Sequence, residues 1–354
     1  MVAELHEVAE QQGRKMATVR TISEIKPHTN ADKLEIAVID GWQCVTAKEN
    51  SFKEGDLVVY LEIDSWVPTE VAAFLSKGKD PREYNGIKGE RLRSIKLRGE
   101  LSQGMILPVS VLPVAGIDLF KDGEDVTNCL GVQKWERPIN PQLAGMQKGF
   151  FPSFIRKTDQ ERVQNMFKFM KPENFEDSYE ITLKVDGSSM TVFYKDGEVG
   201  VCSRNLELKT DEENANNSFV KKFYELELCA KLTALGRNIA IQGELYGSGI
   251  NGNWEGLSNH KYAVFDIFDI DTQKYLNAYE RHLLIGELGL EGVPHIAFAN
   301  ITEFKSVQDF LQFAERPSIN NKVAEGVVFK SLTNPNYSFK VVSNSYLLGG
   351  GSEN

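Results

Sequence analysis

The chain has 354 residues, 41% hydrophobic and 25% charged, with a formal net charge of −10. That is length enough for two buried cores and the composition of a soluble globular protein, which excludes fibrous and disordered classes. No apolar run reaches bilayer-spanning length, and the start Met1-Val2-Ala3-Glu4-Leu5-His6-Glu7 lacks the basic-then-apolar order of an export signal, so an intracellular protein is expected, in cytoplasm or nucleus. The four cysteines, Cys44, Cys129, Cys202 and Cys229, are widely spaced, match no zinc-ligand or disulfide pattern, and read as reduced, mostly packed thiols.

Residues 1–15 are polar and lack strand alternation, which predicts a flexible arm. From Met16 short alternating runs begin, such as Leu34-Glu35-Ile36-Ala37-Val38-Ile39 and Leu57-Val58-Val59-Tyr60-Leu61, separated by Asp40-Gly41 and Glu54-Gly55-Asp56. Five or six such strands predict a small β-barrel over 16–130. An acidic average argues against a nucleic-acid partner, because nonspecific affinity comes from Lys and Arg neutralising phosphates. Averages hide patches, however. Between Lys77 and Arg98 cations outnumber carboxylates, and Lys88, Arg91, Arg93, Lys96 and Arg98 are the candidate nucleic-acid contacts. The strings Pro27-His28-Thr29-Asn30-Ala31-Asp32-Lys33-Leu34-Glu35 and Ile95-Lys96-Leu97-Arg98-Gly99-Glu100-Leu101-Ser102-Gln103-Gly104-Met105 resemble the opening and closing strings of tRNA-binding OB-type barrels. The other reading is a barrel that only braces the second domain.

Residues 131–157 mix Pro, Gly and aromatic residues and read as an extended linker. Thr158-Asp159-Gln160-Glu161 then reads as a capping box opening a helix through Val163, Met166, Phe167 and Met170. Downstream, helices are expected through Phe219 to Ala230, after Asn277-Ala278-Tyr279-Glu280 and after Ser306-Val307-Gln308-Asp309. Strands are expected at Thr182–Leu183, Thr191–Tyr194, Val199–Cys202, Ala240–Leu245, Tyr262–Ile267 and Val327–Phe329, with a hairpin turn at Asp196-Gly197. The fold class is α+β, antiparallel sheets flanked by helices over 158–346, with a disordered tail at 347–354.

Within that second domain the segment Ile181-Thr182-Leu183-Lys184-Val185-Asp186-Gly187 places a lysine two residues before an Asp-Gly turn. A lysine attacks phosphorus only when neutral, so the site is expected to depress its pKa by burial and a nearby cation. Alone, the string suits a surface hairpin. Its companions, in order, are Ser203-Arg204-Asn205, Gln242-Gly243-Glu244, Val264-Phe265-Asp266-Ile267-Phe268, Glu325-Gly326-Val327-Val328-Phe329-Lys330 and Phe339-Lys340-Val341.

That ordered set resembles the covalent nucleotidyltransferases, the superfamily of polynucleotide ligases and RNA-capping enzymes. An OB-type barrel ahead of the catalytic domain, with only 14 residues after Lys340, resembles the Naegleria-type RNA ligases, over about Met16 to Tyr346. Arg162, Gln164 and Asn165 also resemble a flank of one RNA ligase family, or are ordinary helix residues. The resemblance implies an ATP-dependent RNA ligase that joins 3′-hydroxyl and 5′-phosphate ends through a lysine-AMP intermediate; the substrate is expected to be a nicked duplex, with an RNA end on a DNA template or a cleaved tRNA left open, and the protein a monomer. It implies Lys184 as nucleophile, with Lys330 and Lys340 on the α-phosphate. Thr182, Leu183, Arg204, Glu244 and Phe265 would bind the nucleotide, and Asp186, Glu244 and Glu325 would hold Mg²⁺ or Mn²⁺. Many RNA ligases carry Lys-x-Lys in the last motif, whereas Lys340 is followed two positions later by Val342. The competing readings are an RNA-binding OB protein with a degenerate catalytic domain, and a DNA ligase or capping guanylyltransferase.

Overall fold

The structure is a computed structural model that describes residues 14–113, 120–136, 145–320 and 323–349. Almost all of the arm expected at 1–15, the centre of the linker and the end of the expected tail fall outside the described residues. The chain divides into two compact units, Met1–Pro138 and Ile139–Asn354.

In the first unit, Leu57–Leu61 pairs antiparallel with Ala17–Thr21 on one side and Met105–Pro108 on the other. Glu24–Pro27, Leu34–Ile39 and Trp42–Ala47 form an antiparallel meander. Alternation sets the burial. Trp42, Cys44, Ala37 and Ile39 turn inward onto Val58, Tyr60 and Ile106, while Val19, Val59, Leu61 and Leu107 build a second cluster.

The two quoted strings of this unit meet. His28 Nε2 donates to the Leu97 carbonyl at 3.1 Å, and the Asn30 amide donates to the Arg98 carbonyl at 3.1 Å. They brace the hairpin formed by Ile95–Leu97 and Glu100–Ser102. Of the five cationic candidates, Lys88, Arg93, Lys96 and Arg98 are exposed. Arg91 is used internally instead: its Nε donates to Asp64 at 2.7 Å and its guanidinium lies 3.7 Å over the Trp135 ring.

The second unit is two mostly antiparallel sheets with helices outside. Its principal strands are β1 (Ser178–Lys184), β2 (Ser188–Lys195), β3 (Glu198–Cys202), β4 (Leu206–Leu208), β5 (Ile239–Gly247), β6 (His260–Asp269), β7 (His295–Asn300), β8 (Gly326–Ser331) and β9 (Ser338–Val342). One sheet runs β4-β3-β2-β5-β6, and the other β9-β8-β1-β7. Its α-helices of five or more residues are α1 (Ser218–Glu225), α2 (Leu228–Leu235), α3 (Ala278–Glu287), α4 (Val307–Ala314) and α5 (Asn344–Leu348).

Each sheet buries one face under helices. Val192, Ile239, Ile241 and Val264 pack on Val220, Phe223, Leu232 and Leu284 of α1 to α3. Tyr179, Ile181, Phe329, Phe339 and Val341 pack on Phe310, Leu311 and Ala314 of α4, with Phe329 and Phe339 stacked at 4.9 Å. Period-2 alternation therefore turns Glu180, Thr182, Lys184, Lys330 and Lys340 to the opposite face, where the chemistry gathers.

The capping boxes expected at Asn277 and Ser306 are present, as is the Asp196-Gly197 turn with φ of 51° and 94°. The one expected at Thr158 is not. Glu161–Arg162 is a short strand parallel to Phe339–Lys340, and Glu161 Oε1 instead accepts from the Asn165 amide at 2.9 Å. Pairing with an edge strand outcompetes a helix start there, and one helical turn follows at Val163–Met166. The helix expected from Phe219 to Ala230 breaks at Glu227, which is left-handed at φ 52°. Cys44 and Cys202 are buried, but Cys129 and Cys229 are exposed, so only half of the thiols are packed. No helix among the described residues is long and apolar enough to cross a membrane.

Candidate active site

Lys184 is the last residue of β1 and pairs directly with Gly326, the first of β8. That register fixes the geometry: Glu325, the residue before Gly326, accepts a hydrogen bond from Lys184 Nζ at 2.7 Å. Two of the motif glycines show why close approach is needed. A Cβ on Gly326 would meet the Val341 carbonyl at 2.0 Å, and one on Gly187 would meet the Leu245 carbonyl at 2.4 Å. Gly187 is needed for packing against β5 rather than for a left-handed turn, because its φ is not positive.

Glu244 comes from β5, opposite Ser189, and Asp186 from the bend between β1 and β2. Glu325 is 3% and Asp186 7% exposed, while the Lys184 side chain keeps 23%. Burial raises the Glu244 carboxyl to about 8, with repulsion from Glu325 and Asp186 adding to it against the pull of Lys184. Burial and Glu325 likewise raise Asp186 to about 7. For Lys184 burial works downward, but Glu325, Glu244 and Asp186 outweigh it and the amine sits above its ordinary value. In the ligand-free chain the carboxyl groups around the amine, Glu325 first, therefore favour its charged form.

Asp186 and Glu244 bind protons more tightly folded than unfolded, so their contribution to stability is complete below about pH 4. It is lost as the pH rises through 7 and then 8. The thermal midpoint of the unliganded protein accordingly carries a falling component across that window. Glu244→Gln is expected to flatten it; an unchanged profile in that variant would remove the assigned cause.

A β-bulge aims the next pair. Gln242 pairs with Asp266 and Gly243 with Val264, so Phe265 is the extra residue and both it and Asp266 leave the alternation that buries Val264 and Ile267. Phe265 is half-buried against Leu183, Val185, Tyr246 and Ala263, an apolar wall suited to a flat ring. The Leu183 side chain belongs to this wall and its amide donates to the Pro294 carbonyl at 2.9 Å, so Leu183 offers packing and not a free backbone donor. Thr182 is buried beside it, across from Val328.

Lys330 is not placed as the sequence reading placed it. It is 4% exposed, its Nζ lies 2.6 Å from Asp266 Oδ1, and it donates to the Phe265 carbonyl. In the ligand-free chain Lys330 thus tethers the bulge from β8. Burial lowers its pKa to about 8 even against Asp266. Arg281 of α3 completes the network, 3.7 Å from Asp266 and paired with Glu180, whose other oxygen lies 2.5 Å from His282 Nε2. Arg281 and Glu180 were not singled out from sequence. Arg281 lies in a helix of ordinary composition, and Glu180 is an acidic residue inside a strand whose 0% exposure only the fold reveals.

Lys340 is half-buried on the same face, opposite Val328. Val342, where a second lysine was looked for, is fully buried opposite Gly326. Arg204 lies in the turn between β3 and β4, with its guanidinium 3.8 Å from Asp159 and close enough to draw the Glu244 pKa down. Among the described residues no three His, Cys, Asp or Glu side chains converge tightly enough to enclose an ion directly.

Another residue reaches this centre without belonging to any motif. Tyr346, in α5, draws the Asp186 carboxyl downward against the effect of burial.

Comparison with known proteins agrees with this geometry. The RNA ligase family matches residues 177–342, and an OB-fold domain family matches residues 16–109. A search of the curated proteins returned no match. Among solved structures, a mutant Naegleria gruberi RNA ligase with AMP and Mn is 42% identical, with a TM-score of 0.80, over 94% of this chain and 98% of that one. The Naegleria gruberi RNA ligase with PPi is 41% identical, with a TM-score of 0.79, over 95% and 98%. A further mutant with ATP and Mn is 42% identical, with a TM-score of 0.79, over 94% and 98%. With an OB-fold domain ahead of a nucleotidyltransferase domain and this extent of identity, the chain belongs to the RNA ligases of the Naegleria type.

Proposed function

We propose that this RNA ligase uses Lys184 to take AMP from ATP and seal a 3′-hydroxyl to a 5′-phosphate. The observation that carries the reading is the Lys184 amine 2.7 Å from Glu325 at the strand end where Asp186 and Glu244 also crowd it. Glu325 is placed to receive the ammonium proton. The neutral amine attacks the α-phosphorus, a P–N bond forms, and the bond to pyrophosphate breaks. The RNA 5′-phosphate then displaces the lysine, giving a 5′-to-5′ pyrophosphate, and the 3′-hydroxyl attacks to release AMP. Each step exchanges one phosphorus bond for another, so the protein's task is alignment and charge compensation.

Phe265 stacks on adenine, Thr182 lies at its edge, and Lys340 and Arg204 compensate phosphate charge. Asp186, Glu244 and Glu325 fit a divalent cation chemically, since two buried carboxyl groups and a half-buried one share one amine and two of the three hold protons near neutrality. Their spread suits an ion that keeps water between itself and the protein, as Mg²⁺ does. When bound, such an ion supplies positive charge at the phosphate oxygens. One chain carries the whole set, so a monomer suffices.

In the first unit, Lys88, Arg93, Lys96 and Arg98 approach the RNA backbone. The substrate within the RNA class is a nicked duplex. The decisive experiment is joining of nicks that differ only in the 3′-terminal sugar, with ATP or GTP. Sealing with ATP that favours a 3′-terminal ribose is expected. GTP-only sealing, or indifference to the sugar, would refute the assignment.

A further inference from the structure

The bend that joins β1 to β2 lies outside both strand ladders, which stop at Lys184 and resume at Ser188. Lys184 and Asp186 stand at this bend, and Gly187 closes it. Close packing demands glycine there, because a Cβ would meet the Leu245 carbonyl at 2.4 Å. Glycine has the widest backbone freedom of any residue, so the bend keeps one shape only where its peptide groups are held. One hold comes from outside the motifs: the Asn251 side-chain amide donates to the Gly187 carbonyl.

Asn251 is itself fixed. It lies in the loop 248–259 between β5 and β6 and is left-handed at φ 41°, as Asn253 is at φ 52°. Asn253 Oδ1 accepts from the Leu257 amide at 2.9 Å, and its Nδ2 donates to the Leu257 carbonyl at 2.8 Å. His260 Nε2 donates to the Ser248 carbonyl at 2.6 Å and closes the base of the loop. On the far side the Trp254 indole N–H donates to the Val323 carbonyl at 2.6 Å, and the Asn320 side-chain amide donates to the Glu255 carbonyl. Leu257 joins the apolar cluster of Val185, Tyr246 and Ala324. The loop therefore links β5, which carries Glu244, to the 185–187 bend and to the segment that leads into Glu325.

We propose that Asn251 is a positioning residue for adenylyl transfer: by holding the Gly187 carbonyl it fixes the backbone from which Lys184 and Asp186 project. The braced loop gives that hydrogen bond a rigid origin, so the bend is set against β5 and not by its own sequence. The inference rests on the proposed role of Lys184 as nucleophile.

Two variants isolate the donor. Asn251→Gly removes it and keeps a residue that takes positive φ, while Asn251→Asp keeps the size but turns an acceptor toward a carbonyl. The rate of lysine labelling by α-labelled ATP is measured against ATP concentration, beside the thermal midpoint. For Asn251→Gly the maximal rate is expected to fall about tenfold, the scale of one lost hydrogen bond. For Asn251→Asp it is expected to fall about a hundredfold, the scale of a misplaced reacting group. In both, the KM for ATP stays within about twofold and the midpoint within a few degrees of wild type, since the nucleotide pocket and the fold are left intact. A wild-type maximal rate in either variant overturns the proposal. So does a loss that falls on KM alone, or one that a lowered midpoint accounts for, because either would make the contact merely structural. Absence of label on the wild-type protein would sink the nucleophile reading and this inference with it, whereas a labelled wild type with equally labelled variants sinks the inference only.

Discussion

Lys184→Met is expected to abolish covalent labelling by α-labelled ATP, with a fall of at least about 10⁴-fold, as for loss of a nucleophile that works as part of a unit. Two contributions add. The attacking nitrogen is gone, and the amine hydrogen-bonded to Glu325 goes with it. The variant should still fold, because Asp186 and Glu244 already hold protons to about pH 7 and 8 and can remain neutral without the cation. Sealing of an RNA whose 5′ end is already adenylated needs no lysine nucleophile, so part of that step is expected to survive. Label that persists on Lys184→Met, at Lys330 or Lys340 for example, would move the nucleophile and sink the assignment.

Lys330→Met is the second large effect, and it falls on stability and rate together. Glu180 and Asp266 are balanced by Arg281 and Lys330, all of them buried. For Glu180, burial works upward, yet Arg281 and His282 prevail and hold its carboxyl below the ordinary value. Deleting one cation leaves Asp266 short of its nearest partner, a change that destabilises by about 3–5 kcal/mol when a buried pair is broken. The Phe265 carbonyl loses its tether at the same time, so adenylation should fall further than unfolding explains. Adding Asp266→Asn is expected to restore part of the stability and little of the rate, a coupling that a double-mutant cycle reads directly. A Lys330→Met protein that melts and labels like wild type would show that the bulge needs no support from β8.

The same residue marks where reading from sequence stopped. Glu-x-x-x-x-Lys in this order resembles a ligase motif, and that resemblance points Lys330 at a phosphate. The motif string carries no information about the opposing sheet, from which the Phe265–Asp266 bulge draws in the amine. Arg91 is drawn inward in the same way: it belongs to a basic run, but Asp64 and Trp135 hold its guanidinium. The Thr158 capping box failed because a strand partner nearly two hundred residues away outweighed a local signal.

By itself the sequence determined the class of chemistry, the two-part organisation and the alternation that sorts β1, β8 and β9 into an apolar face and a charged one. These are local properties: period-2 patterning, turn glycines and the order of motifs along the chain. Only the tertiary structure decided the protonation of Lys184, the task of Lys330 and the arrival of Asn251 at Gly187. A pKa and a hydrogen bond depend on which distant groups share a desolvated volume, and strand register brings Glu325, Glu244 and Asp186 to one amine across gaps of 2 to 141 residues. Composition and spacing name such groups, but packing sets the distances on which their charges act.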